Sequence, residues 1–123
     1  MTQTTLQDRR ILVVEDEYMI ADEFCLELEE AGAVVVAPVA TVEDALCTIA
    51  SVQRLDGAVL DVNLGGKQSF EAADRLMQSG GAFIFTTGCD ASSLPTRFDR
   101  TARCEKPISV NKVVRAIGQA VHH

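Results

Sequence analysis

Short apolar runs punctuate the chain, and between them the apolar residues space out to helical intervals. Residues 10–14, "RILVV", are rich in β-branched residues and read as a strand that ends on the acidic group Glu15-Asp16-Glu17. From there to Ala31, the residues Ile20, Phe24 and Leu28 recur at i, i+4 and i+8, which predicts an amphipathic helix stopped by Gly32. "AVVVA" (33–37) predicts a second strand ended by Pro38, and Thr41 is a natural cap for a helix carrying Val42, Ala45, Leu46 and Ile49 inward. "GAVL" (57–60) predicts a third strand. Ser69 is placed to cap a helix that turns Phe70, Ala73, Leu76 and Met77 to the core and stops at Gly80-Gly81. "AFIFT" (82–86) predicts a fourth strand, and a weak segment, "CDASSLPTRFDR", leads to a short fifth strand near 101–104. Ser109 then caps a last helix with Val110, Val113, Val114, Ile117 and Val121 on one stripe.

The expected order is β-α repeated five times. Strands that are apolar throughout belong to a parallel sheet with helices on both faces, and right-handed crossovers give a doubly wound, flavodoxin-like (βα)5 three-layer sandwich. No linker or repeat divides the chain, so residues 1–123 are expected to form a single domain with its core at about 8–121.

Composition narrows the class. A 47% hydrophobic and 24% charged chain is that of a water-soluble globular domain, with neither a membrane-length apolar run nor a secretory h-region, so a cytoplasmic protein is expected. Cys25, Cys47, Cys89 and Cys104 are widely spaced and contain no C-x-x-C pair, which favours small buried hydrophobes kept reduced. The only histidines are His122 and His123, which argues against a His-based triad or a zinc site. The net charge of -7 divides into -9 over residues 1–50, -2 over residues 51–90 and +4 over residues 91–123. The overall sign argues against nonspecific nucleic-acid binding, while the basic end suits either a partner surface or ordinary solvated helix faces.

The chemistry lies at the ends of the strands, where ligands bind in such sheets. In "AVLDVNLGG" (58–66) apolar residues run straight into Asp61, a carboxylate that must be paired, coordinated or neutralised if buried. Glu15-Asp16 end the first strand, Thr86-Thr87-Gly88 the fourth and Lys106-Pro107 the fifth. Taken singly, an acidic pair can complement a helix N-terminus, Asp61 can start a turn, and Lys-Pro or Thr-Thr-Gly can be a turn or a cap. Taken together, clustered carboxylates without His or Cys suit a hard ion such as Mg²⁺, and Lys106 adds positive charge. A carboxylate is also a nucleophile towards phosphorus, with the metal, Lys106, a hydroxyl and backbone amides at Gly65-Gly66 and Gly88 to receive the phosphoryl oxygens.

These motifs resemble those of the bacterial two-component response-regulator receiver domain over residues 8–121. "ILVVEDE" is similar to the family's acidic-pair motif and "AVLDVNL" to its phosphoacceptor motif. The resemblance implies that Asp61 is phosphorylated and that Mg²⁺ is held by Glu15, Asp16, Asp61 and the backbone carbonyl of Asn63. "FTTG" places Thr87 at the switch hydroxyl and "EKP" places Lys106 at the family's lysine, usually followed by a cis proline bond. The sequence departs from the family pattern in two places. Arg103 stands where a switch aromatic is usual, and Gly65 replaces a common proline. "FTTGCD" is similar to the Phe-Ala-Thr-Gly-x-Tyr motif of an alphaproteobacterial subgroup, with Asp90 in place of the tyrosine.

The resemblance implies a phosphoacceptor and no classical enzyme. Its partners would be a sensor histidine kinase or a phosphotransfer protein, an unknown downstream protein and, in some members, a second copy in a homodimer, with neither nucleic acid nor membrane contacted. A phosphate sink or shuttle and a non-phosphorylated pseudo-receiver are the alternatives. An aspartyl-phosphate phosphohydrolase would need Asp-x-Asp after the first strand, where "VVEDEY" does not fit, and an FMN carrier would need a phosphate loop where this chain is acidic. Two further expectations concern output. Arg103 should stay at the surface in a partner contact, and the short segment 89–100, with few apolar anchors, should be bistable and re-present Arg97, Arg100 and Arg103 on phosphorylation.

Overall fold

The apolar runs become strands of one parallel sheet in the computed structural model, which describes residues 6–52, 54–87, 94–105 and 110–122. In chain order the elements begin with β1 (Arg10–Val14), α1 (Tyr18–Glu30), β2 (Val34–Val39), α2 (Val42–Ser51) and β3 (Gly57–Asp61). A two-stranded hairpin follows, β4 (Asn63–Leu64) and β5 (Lys67–Gln68), and then α3 (Phe70–Gln78), β6 (Ala82–Thr87), β7 (Arg103–Glu105) and α4 (Val110–His122). The five-stranded sheet runs β2-β1-β3-β6-β7, with every neighbouring pair parallel. This is the expected doubly wound, flavodoxin-like α/β fold.

The strands are apolar on both faces because both faces are covered. Leu12, Val14, Ala58, Leu60, Phe83 and Phe85 pack with Ala45 of α2 and Ala72, Ala73 and Leu76 of α3. The alternate residues Ile11, Val13, Val59 and Ile84 pack with Phe24 and Leu28 of α1 and with Val113 and Ile117 of α4. Leu6 seals the second layer, held by its amide to the Ala31 carbonyl at 3.2 Å. Helix α1 ends in a Schellman turn: Ala33 N–H donates to Leu28 O and Gly32 N–H to Glu29 O, both at 3.0 Å. That turn needs the left-handed φ of +96° at Gly32. At the amino edge of the sheet, Asp56 accepts from Arg10 N–H at 2.8 Å and pairs with Arg54 at 3.3 Å. Burial works to raise its pKa, but the Arg10 amide and the Arg54 and Arg9 guanidinium groups overcome it and hold the carboxyl below its usual range.

Several details differ from the sequence expectation. Proline 38 does not end β2, because β2 is an edge strand and a bulge opposite Ile11–Val13 absorbs the missing donor. Thr41 caps α2 as expected, accepting from Asp44 N–H at 3.1 Å, whereas Ser69 sits at the start of α3 with no side-chain cap bond. Met77 is 48% exposed, since only Ala72, Ala73 and Leu76 of α3 are buried. Cys47 is exposed on α2, and Cys25 and Cys104 are half-buried, so the described cysteines are free, as expected, but none is fully buried. The expected Ser109 cap lies outside the described residues.

The largest difference follows β6. The five-fold β-α repeat calls for a helix in the weak segment; residues 94–100 instead contain one 3-10 turn, Thr96–Phe98, and residues 88–93 lie outside the described residues. Pro95 stands in an extended conformation (φ -58°, ψ 151°), which starts the turn without a preceding helical residue. Phe98 is fully buried, with its ring centroid 5.2 Å from Phe85 and 5.7 Å from Phe70. Its guanidinium neighbour Arg97 lies 4.7 Å above the ring and makes a bidentate pair with Asp74 at 2.8 and 3.0 Å. Phe98→Ala is therefore expected to cost about 3–5 kcal/mol, as emptied aromatic sites do. Urea denaturation checks this, and a loss under about 1 kcal/mol would show that Phe98 does not anchor the segment.

Candidate functional site

The strand order reverses direction between β1 and β3, which opens a crevice at their carboxyl ends. Glu15 and Asp16 follow β1 directly, and Asp61 is the last residue of β3. The pairing of Val14 with Leu60 brings Glu15 and Asp61 to the same level of the sheet. One carboxylate oxygen from each of Glu15, Asp16 and Asp61 lies within 4.8 Å of the others. Glu15 and Asp61 are buried, while Asp16 is exposed at the mouth.

Backbone bonds fix each position. Glu15 N–H donates to Val39 O of the edge strand at 3.0 Å, and its carboxylate accepts from Glu17 N–H at 3.0 Å, which turns the chain into α1. Asp61 stands in register with Thr86, and Val62 N–H donates to Thr86 O at 3.0 Å. Asn63 N–H points back to Asp61 Oδ1 at 3.4 Å.

The segment after Asp61 is the part with no counterpart in the predicted elements. Gly65 and Gly66 have φ of +58° and +92°, the two successive left-handed residues of a type I′ turn, and they close the β4–β5 hairpin. Only this pair of glycines in sequence signals the hairpin. At its tip Gly65 N–H donates to Asp16 Oδ2 at 3.0 Å, and Gly66 N–H donates to Asn63 Oδ1 at 3.1 Å. The glycine amides expected to wait for a ligand are thus already engaged. Lys67 pairs with Glu43 of α2; this hydrogen bond lowers the Glu43 carboxyl below its ordinary range and raises the Lys67 ammonium.

Thr87 is buried at the end of β6, and its hydroxyl has no hydrogen-bond partner among the described residues. The same holds for Thr86, whose register beside Asp61 was not singled out by the sequence. Thr86 is also opposite Cys104, where burial pushes the thiol above its ordinary range against the opposing pull of Lys112. Lys106 and Gly88 lie outside the described residues.

Arg103 does not stay at the surface. It is half-buried, opposite Phe85, and its guanidinium donates to the carbonyl of Phe98 at 2.9 Å, with longer contacts to Asp99 and Thr101. Arginine suits this place because its several donors fit the open carbonyls at the end of a short turn. Both Arg97 and Arg103 are therefore spent on the chain itself.

The set of donors is oxygen only, and three carboxylates this close repel one another. Such a set fits a hard divalent cation. No family model matches the chain, and no curated protein does. Solved structures do. SdrG from Sphingomonas melonis is 34% identical, covering 97% of this chain and 98% of that one, with a TM-score of 0.80. A response regulator receiver protein from Sinorhizobium medicae is 20% identical over 94% of this chain and 95% of its own, with a TM-score of 0.81. The receiver domain of the PhyR response regulator from Erythrobacter litoralis is 22% identical over 94% and 92%, with a TM-score of 0.77.

The carboxylate cluster gives a direct stability prediction. In metal-free buffer Asp61→Asn should raise unfolding free energy by about 1–3 kcal/mol, since it removes one of the mutually repelling charges. Added Mg²⁺ should narrow the gap by stabilising the wild type more. Equal or lower stability of the variant without metal would show that repulsion does not govern the site.

Proposed function

The chain belongs to the response-regulator receiver family, and from that premise we propose that Asp61 accepts a phosphoryl group from a phosphohistidine. The donor would be a sensor histidine kinase or a phosphotransfer protein. The observation that carries the reading is the Asp61 carboxylate, 4% exposed at the end of β3 and within 4.8 Å of the Glu15 and Asp16 carboxylates. A carboxylate oxygen of Asp61 attacks phosphorus, the P–N bond of the donor breaks, and its electron pair returns to the imidazole. The product is an acyl phosphate on Asp61.

Glu15, Asp16, Asp61 and the carbonyl of Asn63 would hold Mg²⁺, whose charge would offset that of the phosphoryl oxygens. The hairpin pattern supports the Asn63 role. Val62 O accepts from Ser69 N–H at 2.9 Å, and Leu64 and Lys67 flank the two-residue turn. Asn63 and Gln68 therefore form the non-hydrogen-bonded pair between them, and the Asn63 carbonyl turns away from its partner strand. Thr87 would donate its hydroxyl to a phosphoryl oxygen, and Lys106, following β7, would supply an ammonium. Tyr18 and Met19, 82% and 78% exposed where α1 starts beside the acidic cluster, offer apolar contact to a docking protein. Signal output is through protein contacts in the cytoplasm; among the described residues no helix is long and apolar enough to cross a membrane.

A small phosphodonor with Mg²⁺ should add the mass of one phosphoryl group to the wild type and none to Asp61→Asn. Undiminished labelling of that variant would overturn the assignment. Thr87→Ala should still be phosphorylated, because its hydroxyl meets the group only after arrival, but NMR shift changes beyond the site should shrink. Identical changes in the two proteins would show that Thr87 does not transmit the signal.

A further inference from the structure

We propose that the β4–β5 hairpin is the positioning device for Asp16, and that cation binding and hairpin order are coupled through the Gly65 amide. The proposal rests on the reading of Glu15, Asp16 and Asp61 as a cation site. Asp16 is exposed, and a carboxylate on a free side chain would lose rotamer entropy on taking a metal. Gly65 N–H holds Asp16 Oδ2 at 3.0 Å, across 49 residues of sequence, and so restrains the carboxylate before a cation arrives. Bonds of this kind to a ligating carboxylate set its orientation and typically change metal affinity about 10–100-fold.

The hairpin is built to hold that amide still. Its tip has the paired left-handed glycines of a type I′ turn, Gly66 N–H closes onto Asn63 Oδ1, and Lys67 ties the second strand to Glu43 in the first turn of α2. Asn63, whose carbonyl is assigned to the cation, is the first residue of the same hairpin. One small element thus carries one ligand and aims another. A cation that draws charge from Asp16 and binds the Asn63 carbonyl fixes both ends of the hairpin at once, and the paired Lys67 passes that order to the α2 surface.

Hydrogen exchange and Mg²⁺ titration by NMR test the proposal without a phosphodonor. Mg²⁺ should slow exchange at the Gly65 and Gly66 amides of the wild type. Without metal, Asp16→Ala removes the acceptor and should speed exchange at Gly65 while leaving the amides of β3 unchanged. Gly65→Asn keeps the amide, places a side chain with open space around its Cβ and gives the Asn-Gly pair favoured in this turn, so Mg²⁺ affinity should be within about twofold of wild type. Gly65→Pro removes the amide and, locked at a negative φ, also opens the turn, so it should weaken Mg²⁺ about tenfold or more. Lys67→Ala leaves the amide in place and should weaken Mg²⁺ by less than Gly65→Pro does. Gly65 exchange that ignores both Mg²⁺ and Asp16→Ala, or equal affinities for the proline and asparagine variants, would overturn the coupling while leaving the cation site standing. A wild type that binds no Mg²⁺ would overturn both.

Discussion

Carboxylates are held against their own repulsion at the carboxyl edge of the sheet, and much of the local structure serves to keep them there. Each strand delivers its acid from a backbone with no freedom to retreat. β1 is paired on both sides, and β3 lies between β1 and β6. Glu15 is tied by its amide to Val39, and Asp61 sits in register with Thr86. Folding therefore assembles a concentrated negative charge from residues distant in sequence, an oxygen-only setting that fits a hard cation. Asp56, at the opposite edge, shows the other solution. Its half-buried carboxylate pairs with arginines and accepts from the Arg10 amide within the chain.

Residues 94–100, beyond β6, trade helix for anchoring. A two-turn helix there would have had little core to rest on. Instead, one aromatic ring, Phe98, enters the layer formed by Phe70, Phe83 and Phe85. Arg97 and Arg103 fasten the turn from outside, one to α3 and the other to the carbonyls of the turn itself. Thr87 and Arg103 extend from neighbouring strands on the Phe85 side of the sheet. A signal leaving Thr87 in that direction would meet a fixed turn held by charge-assisted bonds, and a rotating aromatic has no place in the arrangement.

The fold was largely legible because its signals are additive over many residues. Continuous apolar runs with β-branched residues identify buried parallel strands, and stripes at i, i+3 and i+4 identify helices that cover them. The acidic pair after β1 and Asp61 after β3 follow from the same reading, since strand order alone brings those ends together. The misses are places where one local rule met a tertiary circumstance. Pro38 is tolerated because its strand is at the edge, and Met77 is exposed because α3 buries only a narrow face.

The sequence by itself determined the architecture, the strand ends that carry chemistry and the residue types at each of them. Periodicity and motif order are properties of the chain and survive without coordinates. Tertiary structure decided how those side chains are used. That Gly65 gives its amide to Asp16, and that Arg103 turns inward to Phe98, depends on approach between segments whose geometry no local pattern encodes. A hydrogen bond has a steep dependence on distance and angle, so its partners are fixed only when packing has fixed the backbone.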